Sequence, residues 1–234
     1  MAQETKLIPE YCSRDVVDCF LEKDPETYRK YRDLYEQARN YGRSIAFRVM
    51  DKDRELPGTP PEFSEVPGKA SEDLFAFAKT LGIKKIYFWG TDGTGNGVYA
   101  NLAEYDETKS SIGINLGLIH SLQPLLYTYY GVSTELFKKI VLAHELFHHL
   151  EQRYYTETDV FLRDRLSREG LKKGKAPIKP VKRLREFAAA AFAETLLDLP
   201  FPAQVIDILR LCKERGEAAI LRRVRRIAKM LTPP

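Results

Sequence analysis

Four histidines occur in the 234-residue chain, and three of them, His144, His148 and His149, fall within VLAHELFHHLEQ at 141–152. His144, Glu145 and His148 spell HExxH. On a helix, positions four apart project from one face with their β-carbons about 5 to 6 Å apart, so both imidazoles can reach one ion. Zinc accepts such a pair readily. Glu145 lies too close along the helix to join that ligand set comfortably. Its expected role is general base, taking a proton from zinc-activated water and passing it to a leaving amine. His149, about 100° further round the helix, reads as a neighbour of the site and not a ligand.

HExxH alone occurs in many helices by chance, so a third ligand is required. HELFHHLEQRYYTE offers neither the glycine nor the third histidine of HExxHxxGxxH. A glutamate on a later helix is the remaining standard solution. REFAAAAFAETLLDLP holds two, Glu186 and Glu194. Glu186 shares a helical face with Ala190, Ala193 and Leu197, small enough in part to let this helix lie against the histidine helix. Glu194 is followed four residues on by Asp198, a carboxylate suited to bonding a zinc-bound histidine from behind. Spacing alone leaves both open, and alanine-rich composition is also what a plain, well-formed helix looks like. Tyr154, Tyr155 and His120 are the candidate hydrogen-bond donors to a tetrahedral oxyanion.

These residues need elements to hold them. Ser133 or Thr134 can cap a helix through about 152, whose stripe Leu136, Ile140, Ala143, Phe147 and Leu150 repeats at helical spacing and marks a buried side. His144 and His148 lie about 100° away from that stripe, bordering the core. Upstream, the segments 84–90, 97–106 and 110–116 are short and rich in β-branched and aromatic residues, and predict three antiparallel strands. TDGTGNG would join the first two and DETK would close the second hairpin. No GxxxxGK[ST] is present, so the glycines do not read as a phosphate loop. SSIGINL at 110–116 is the expected sheet edge on which an extended peptide would pair.

The remainder reads as helical. A helix over 24–50 has Asp24 as its cap and Pro25 in its first turn, and another over 71–83 has Ser71 as its cap. The four prolines and two glycines of 51–70 make that stretch a loop. Further helices are expected over 156–170, over 182–199 after a loop at 172–180, and twice more to the C-terminus; nothing is assigned to 117–131. In the last, Ile220, Leu221, Val224, Ile227 and Leu231 share one side and five basic residues the other. The fold class is therefore α+β, a small antiparallel sheet packed on the HExxH helix between helical N- and C-terminal parts. The divisions are 1–70, a core over 71–200, and 201–234, together forming one compact unit.

Hydrophobic residues make up 44% of the chain, enough for a sizeable core, and the net charge is a mild +4. No apolar run approaches the roughly 20 residues of a membrane span, and the N-terminus lacks a secretory pattern. A cytoplasmic protein without membrane contact is expected. Cys12, Cys19 and Cys212 have no pairing or metal spacing and read as idle thiols.

FKKIVLAHELFHHL followed by REFAAAAFAETLLDLP resembles the gluzincin metallopeptidases, especially the ImmA/IrrE-like group, over roughly residues 97–200. That group has an LAHELxH helix, a preceding strand ending near an asparagine, matched by IGIN at 112–115, and a later ExxAxxFAxxLLxP helix. Glu186, Ala189, Phe192, Ala193, Leu196 and Leu197 match in order. The resemblance implies a zincin-like core with one zinc ion on His144, His148 and Glu186 and Glu145 as base, so Glu186 ranks above Glu194. The chain departs from the group at Ala190, where Asn or Asp is usual, at Phe147, where glycine is common, and at Pro200, one residue late. The function implied is zinc-dependent hydrolysis of a protein or peptide substrate. Two other readings are a catalytically idle protein stabilised by zinc, and a basic helical protein that binds nucleic acid; the peptidase is preferred.

Overall fold

A computed structural model describes residues 12–22, 25–51, 73–90, 101–162 and 178–231. The predicted caps Asp24 and Ser71, the loop at 52–70, the connection at 91–97 and the segment 163–177 lie outside these residues. The main elements are α1 (Arg14–Glu22), α2 (Pro25–Met50), α3 (Leu74–Thr80), β1 (Lys85–Trp89), β2 (Ala103–Asp106), β3 (Ser111–Asn115), α4 (Leu116–Tyr130), α5 (Thr134–Arg153), α6 (Ile178–Leu197), α7 (Val205–Arg215) and α8 (Glu217–Leu231), and residues 158–162, within the predicted 156–170 helix, are helical as well. The fold is α+β and mostly helical, and one apolar cluster draws residues from α1 through α8.

The sheet is mixed, which corrects the antiparallel expectation. β3 lies in the middle, parallel to β1 and antiparallel to β2, so β1 and β2 never pair. All five residues of β3 are buried. Lys85 on β1 and Glu104 and Asp106 on β2 belong where water reaches, at the two edges. Gly113 sits beneath the Tyr87 and Trp89 rings, and a β-carbon there would come within 2.3 Å of the indole. SSIGINL is therefore the centre of the sheet, and β2 is the edge beside the histidine helix.

α5 begins where the sequence predicts, with the Ser133 hydroxyl accepting from the Leu136 N–H at 3.2 Å. The predicted apolar stripe is only part of its buried surface. Phe137, Val141, Leu142 and Leu146 are buried as well, because β2, β3, α3, α4 and α6 all pack around this helix. A helix enclosed on most sides has no single wet face. His144 and His148 occupy one of the remaining half-exposed strips.

The region 117–131, unassigned from sequence, is α4 despite Pro124 in its interior. Asn115 caps it, its side chain accepting from the Leu118 N–H at 3.0 Å, and Gly131 ends it in the left-handed conformation. α6 begins earlier than predicted, so Pro180 lies in the first turn, where its missing N–H costs nothing. Asp198, expected inside the helix, follows its end with φ 51°. α7 and α8 match the two predicted C-terminal helices, with Ile220, Val224 and Ile227 inward and Leu221 and Leu231 partly covered. The three cysteines are buried, and none forms a disulfide among the described residues.

α2 lies across α6 with little separation. At Gly42 a β-carbon would stand 2.0 Å from the Ala188 carbonyl oxygen, two residues from Glu186. Backbone cannot retreat as a side chain can, so Gly42→Ala is expected to cost about 2 to 3 kcal/mol. A fall in the denaturant midpoint checks this.

Candidate metal centre

Two helices supply the cluster. α5 presents His144 and His148, with ring centroids 5.1 Å apart. α6 packs against α5, its alanines almost fully buried, and the Glu186 carboxylate reaches across to the histidines. Glu186 Oε2 is 3.0 Å from His144 Nε2, and Oε1 is 3.7 Å from His148 Nε2. One ligand atom from each of the three lies within 4.8 Å of the others.

The donor set fits a divalent cation. Two imidazole nitrogens and one carboxylate are a zinc combination, and tetrahedral bonds of roughly 2.0 to 2.1 Å separate ligand atoms by about 3.3 Å. The observed 3.0 and 3.7 Å bracket that spacing. The electrostatics agree. Burial would push the His144 imidazole down, but the hydrogen bond its ring donates to Glu186 and the charges of Glu186, Glu145 and Asp207 outweigh it, pushing its pKa up to about 9. For Glu186, burial raises the carboxyl, while the His144 bond and the His144 and His148 charges hold it down at about 2. The cluster thus favours a positive charge between its members.

Behind His148 stands Glu151. Its side chain is fully buried, and Oε2 lies 3.9 Å from His148 Nδ1, a buried nitrogen with no hydrogen-bond partner among the described residues. Arg185, next to Glu186 on α6, donates from Nε to Glu151 Oε2 at 2.8 Å, and Oε1 accepts from the Thr158 N–H and hydroxyl. Burial raises the Glu151 carboxyl, and the His148, Thr158 and Arg185 contacts reverse this to a net lowering. Glu151 therefore stays anionic behind the ring, 3.9 Å from Nδ1, while Nε2 faces Glu186 at 3.7 Å. The sequence reading misses this residue.

A cavity of about 530 Å³ opens over the cluster. His144, Glu145 and His148 line it from α5, Glu186 and Ala190 from α6, residues 101–105 from the β2 edge, and Gln204, Asp207 and Arg210 from the start of α7. Glu145 is half-exposed and has no ion pair or hydrogen bond among the described residues.

The other sequence candidates fall elsewhere. Glu194 is buried and takes Arg14 Nη2 at 2.7 Å and the Ala203 N–H at 2.8 Å, so its carboxylate is committed to tethering α1 and the α6–α7 turn. Asp198 is exposed, and no hydrogen bond or ion pair joins it to either histidine. Tyr154 donates to the Leu81 carbonyl at 3.2 Å, Tyr155 packs beneath Arg48, and His120 is exposed on α4; none lines the cavity. Phe147, in place of a common glycine, is absorbed by the core against Phe192. His149 is buried between Tyr105 and Leu81, bonding the tyrosine hydroxyl at 2.9 Å and the Leu81 carbonyl at 2.8 Å. Burial lowers its pKa, so a neutral ring pins β2 to α5.

No family model, curated protein or solved structure matches the chain. No described helix is long and apolar enough to cross a membrane.

Proposed function

We propose that the chain is a zinc-dependent endopeptidase with a zincin-like core, holding one metal ion on His144, His148 and Glu186. The observation that carries the reading is the convergence of those three donors on the floor of a cavity that also receives Glu145 and the β2 edge. A zinc ion there supplies Lewis acidity, lowering the pKa of water and polarising a carbonyl.

The chain's own residues supply the remainder. An extended peptide pairs with β2, whose other side is occupied by β3, and this places its backbone along residues 101–105. Glu145, free of any partner among the described residues, accepts a proton from attacking water and returns it to the leaving nitrogen. Glu151 supplies the negative charge behind His148, 3.9 Å from Nδ1, that favours the tautomer with Nε2 toward the cavity. Ala190 adds no polar group, and Arg185 with Glu151 takes over the support that an Asn or Asp there would give.

Metal content tests the proposal. Purified chain is expected to carry one zinc, lost in Glu186→Ala and retained in Glu194→Ala, which instead melts at lower temperature because Arg14 and the Ala203 N–H lose their acceptor. Zinc lost only from the Glu194 variant, or a wild type that binds none, sinks this ligand set.

A further inference from the structure

We infer that Gln204 is a substrate-positioning residue whose carboxamide takes a main-chain peptide group of the ligand; the inference rests on the peptidase reading. Gln204 is 7% exposed and lines the cavity that holds His144 and Glu186. Its Oε1 and Nε2 are both buried, and neither has a hydrogen-bond partner among the described residues. Buried amides are seldom left so, because folding forfeits the bonds that water gave them. The residue also stands at the cap of α7 without a side-chain capping bond, and it is not needed for one, because the N–H groups of Val205, Ile206 and Asp207 bond the carbonyls of Pro202, Ala203 and Gln204. The amide thus gives up stability that no contact among the described residues restores.

Its backbone is nevertheless firmly placed. Glu194 accepts from the Ala203 N–H at 2.8 Å and is itself held by Arg14 at 2.7 Å, which fastens the turn before α7 to the helix that carries Glu186. The flexible side chain can therefore turn its amide from the wall into the cavity without any backbone movement. A carboxamide offers both acceptor and donors, the complement of a peptide C=O and N–H. Its charged neighbours on this wall match a neutral peptide bond less well, since Asp207 Oδ1 and Arg210 Nη2 face each other at 3.8 Å. β2 pairs with one edge of an extended peptide, and Gln204, on a separate wall, takes a peptide group that β2 leaves open.

The test uses the zinc-loaded full chain and two probes followed by titration calorimetry: acetohydroxamate, a bare chelating head, and a leucine–glycine dipeptide hydroxamate, which adds a peptide group. In Gln204→Met and Gln204→Leu the affinity gained from the peptide arm is expected to fall about tenfold, the loss of one or two hydrogen bonds in a dry site. Acetohydroxamate should bind both variants as it binds wild type, and Gln204→Met should melt no lower than wild type. An unchanged ratio between the probes in a folded variant, or a lowered melting temperature in both variants, overturns the inference and leaves the peptidase reading standing. Acetohydroxamate that fails to bind wild type in a zinc-dependent way overturns both.

Discussion

Glu145→Gln is expected to lower peptide hydrolysis by about 100- to 10,000-fold, the range attached to a lost general base, while zinc content stays at one per chain. Gln keeps the size and the cavity position of the glutamate and removes only its ability to accept a proton. Glu145 has no ion pair or hydrogen bond to lose among the described residues, so the substitution should leave the melting temperature within about 1 °C of wild type, as partner-free surface changes do. Hydrolysis of fluorescein-labelled casein by zinc-loaded protein, with a chelator-treated control, measures the first effect; metal analysis and a melting curve measure the others. If wild type and variant cleave equally, or neither cleaves at all, the catalytic reading fails and the idle zinc protein takes its place. In that case chelation would still lower the melting temperature, because an ion joining α5 to α6 stabilises the folded chain whether or not chemistry occurs.

The parts of this site that were readable from sequence are those with a period. HExxH, the Ser133 cap and the two glutamates of the alanine-rich helix are all local patterns, and α5 and α6 appear close to where the periodicity puts them. Spacing left Glu186 and Glu194 both open, and only the family resemblance ranked Glu186 first. The two lie eight residues apart on one helix, and only the contacts of α6 with α1 and the α7 turn show that Glu194 is spent on Arg14 and Ala203. Strand order was legible in part: the absence of charge from residues 111–115, against Lys85, Glu104 and Asp106 in the flanking strands, marks the central strand. Pairing was inferred from chain order instead, and the observed order, with β3 between β1 and β2, made that wrong. Glu151 carried a usable signal as well. His144, His148 and Glu151 are spaced by four and three, which puts a carboxylate on the ligand face one turn beyond the second histidine. Gln204 gave none, because an unpartnered amide is visible only once every neighbour is in place.

Glu151→Ala should damage both the fold and the metal site, and the two effects can be separated. The substitution leaves Arg185 with an uncompensated, largely covered charge and the Thr158 N–H without an acceptor. Removing one member of a buried ion pair costs about 3 to 5 kcal/mol, so metal-free variant should unfold at clearly lower denaturant than metal-free wild type. The sign of the pH dependence follows from the lowered carboxyl. Its contribution is complete above the ordinary glutamate value of 4.5 and is lost as pH falls through the lower folded value, so the gap between wild type and variant should narrow in acid. The second effect concerns His148, whose Nδ1 has only Glu151 to orient it. Losing such a partner weakens metal affinity by about 10- to 100-fold. With zinc in excess, the extra stability gained on loading should therefore be smaller in the variant by about 1.4 to 2.7 kcal/mol. Competition against a chromogenic chelator gives the affinity directly. A variant with lowered stability but unaltered zinc affinity would make Glu151 a strut between α5, α6 and the segment at Thr158, with no hold on the histidine.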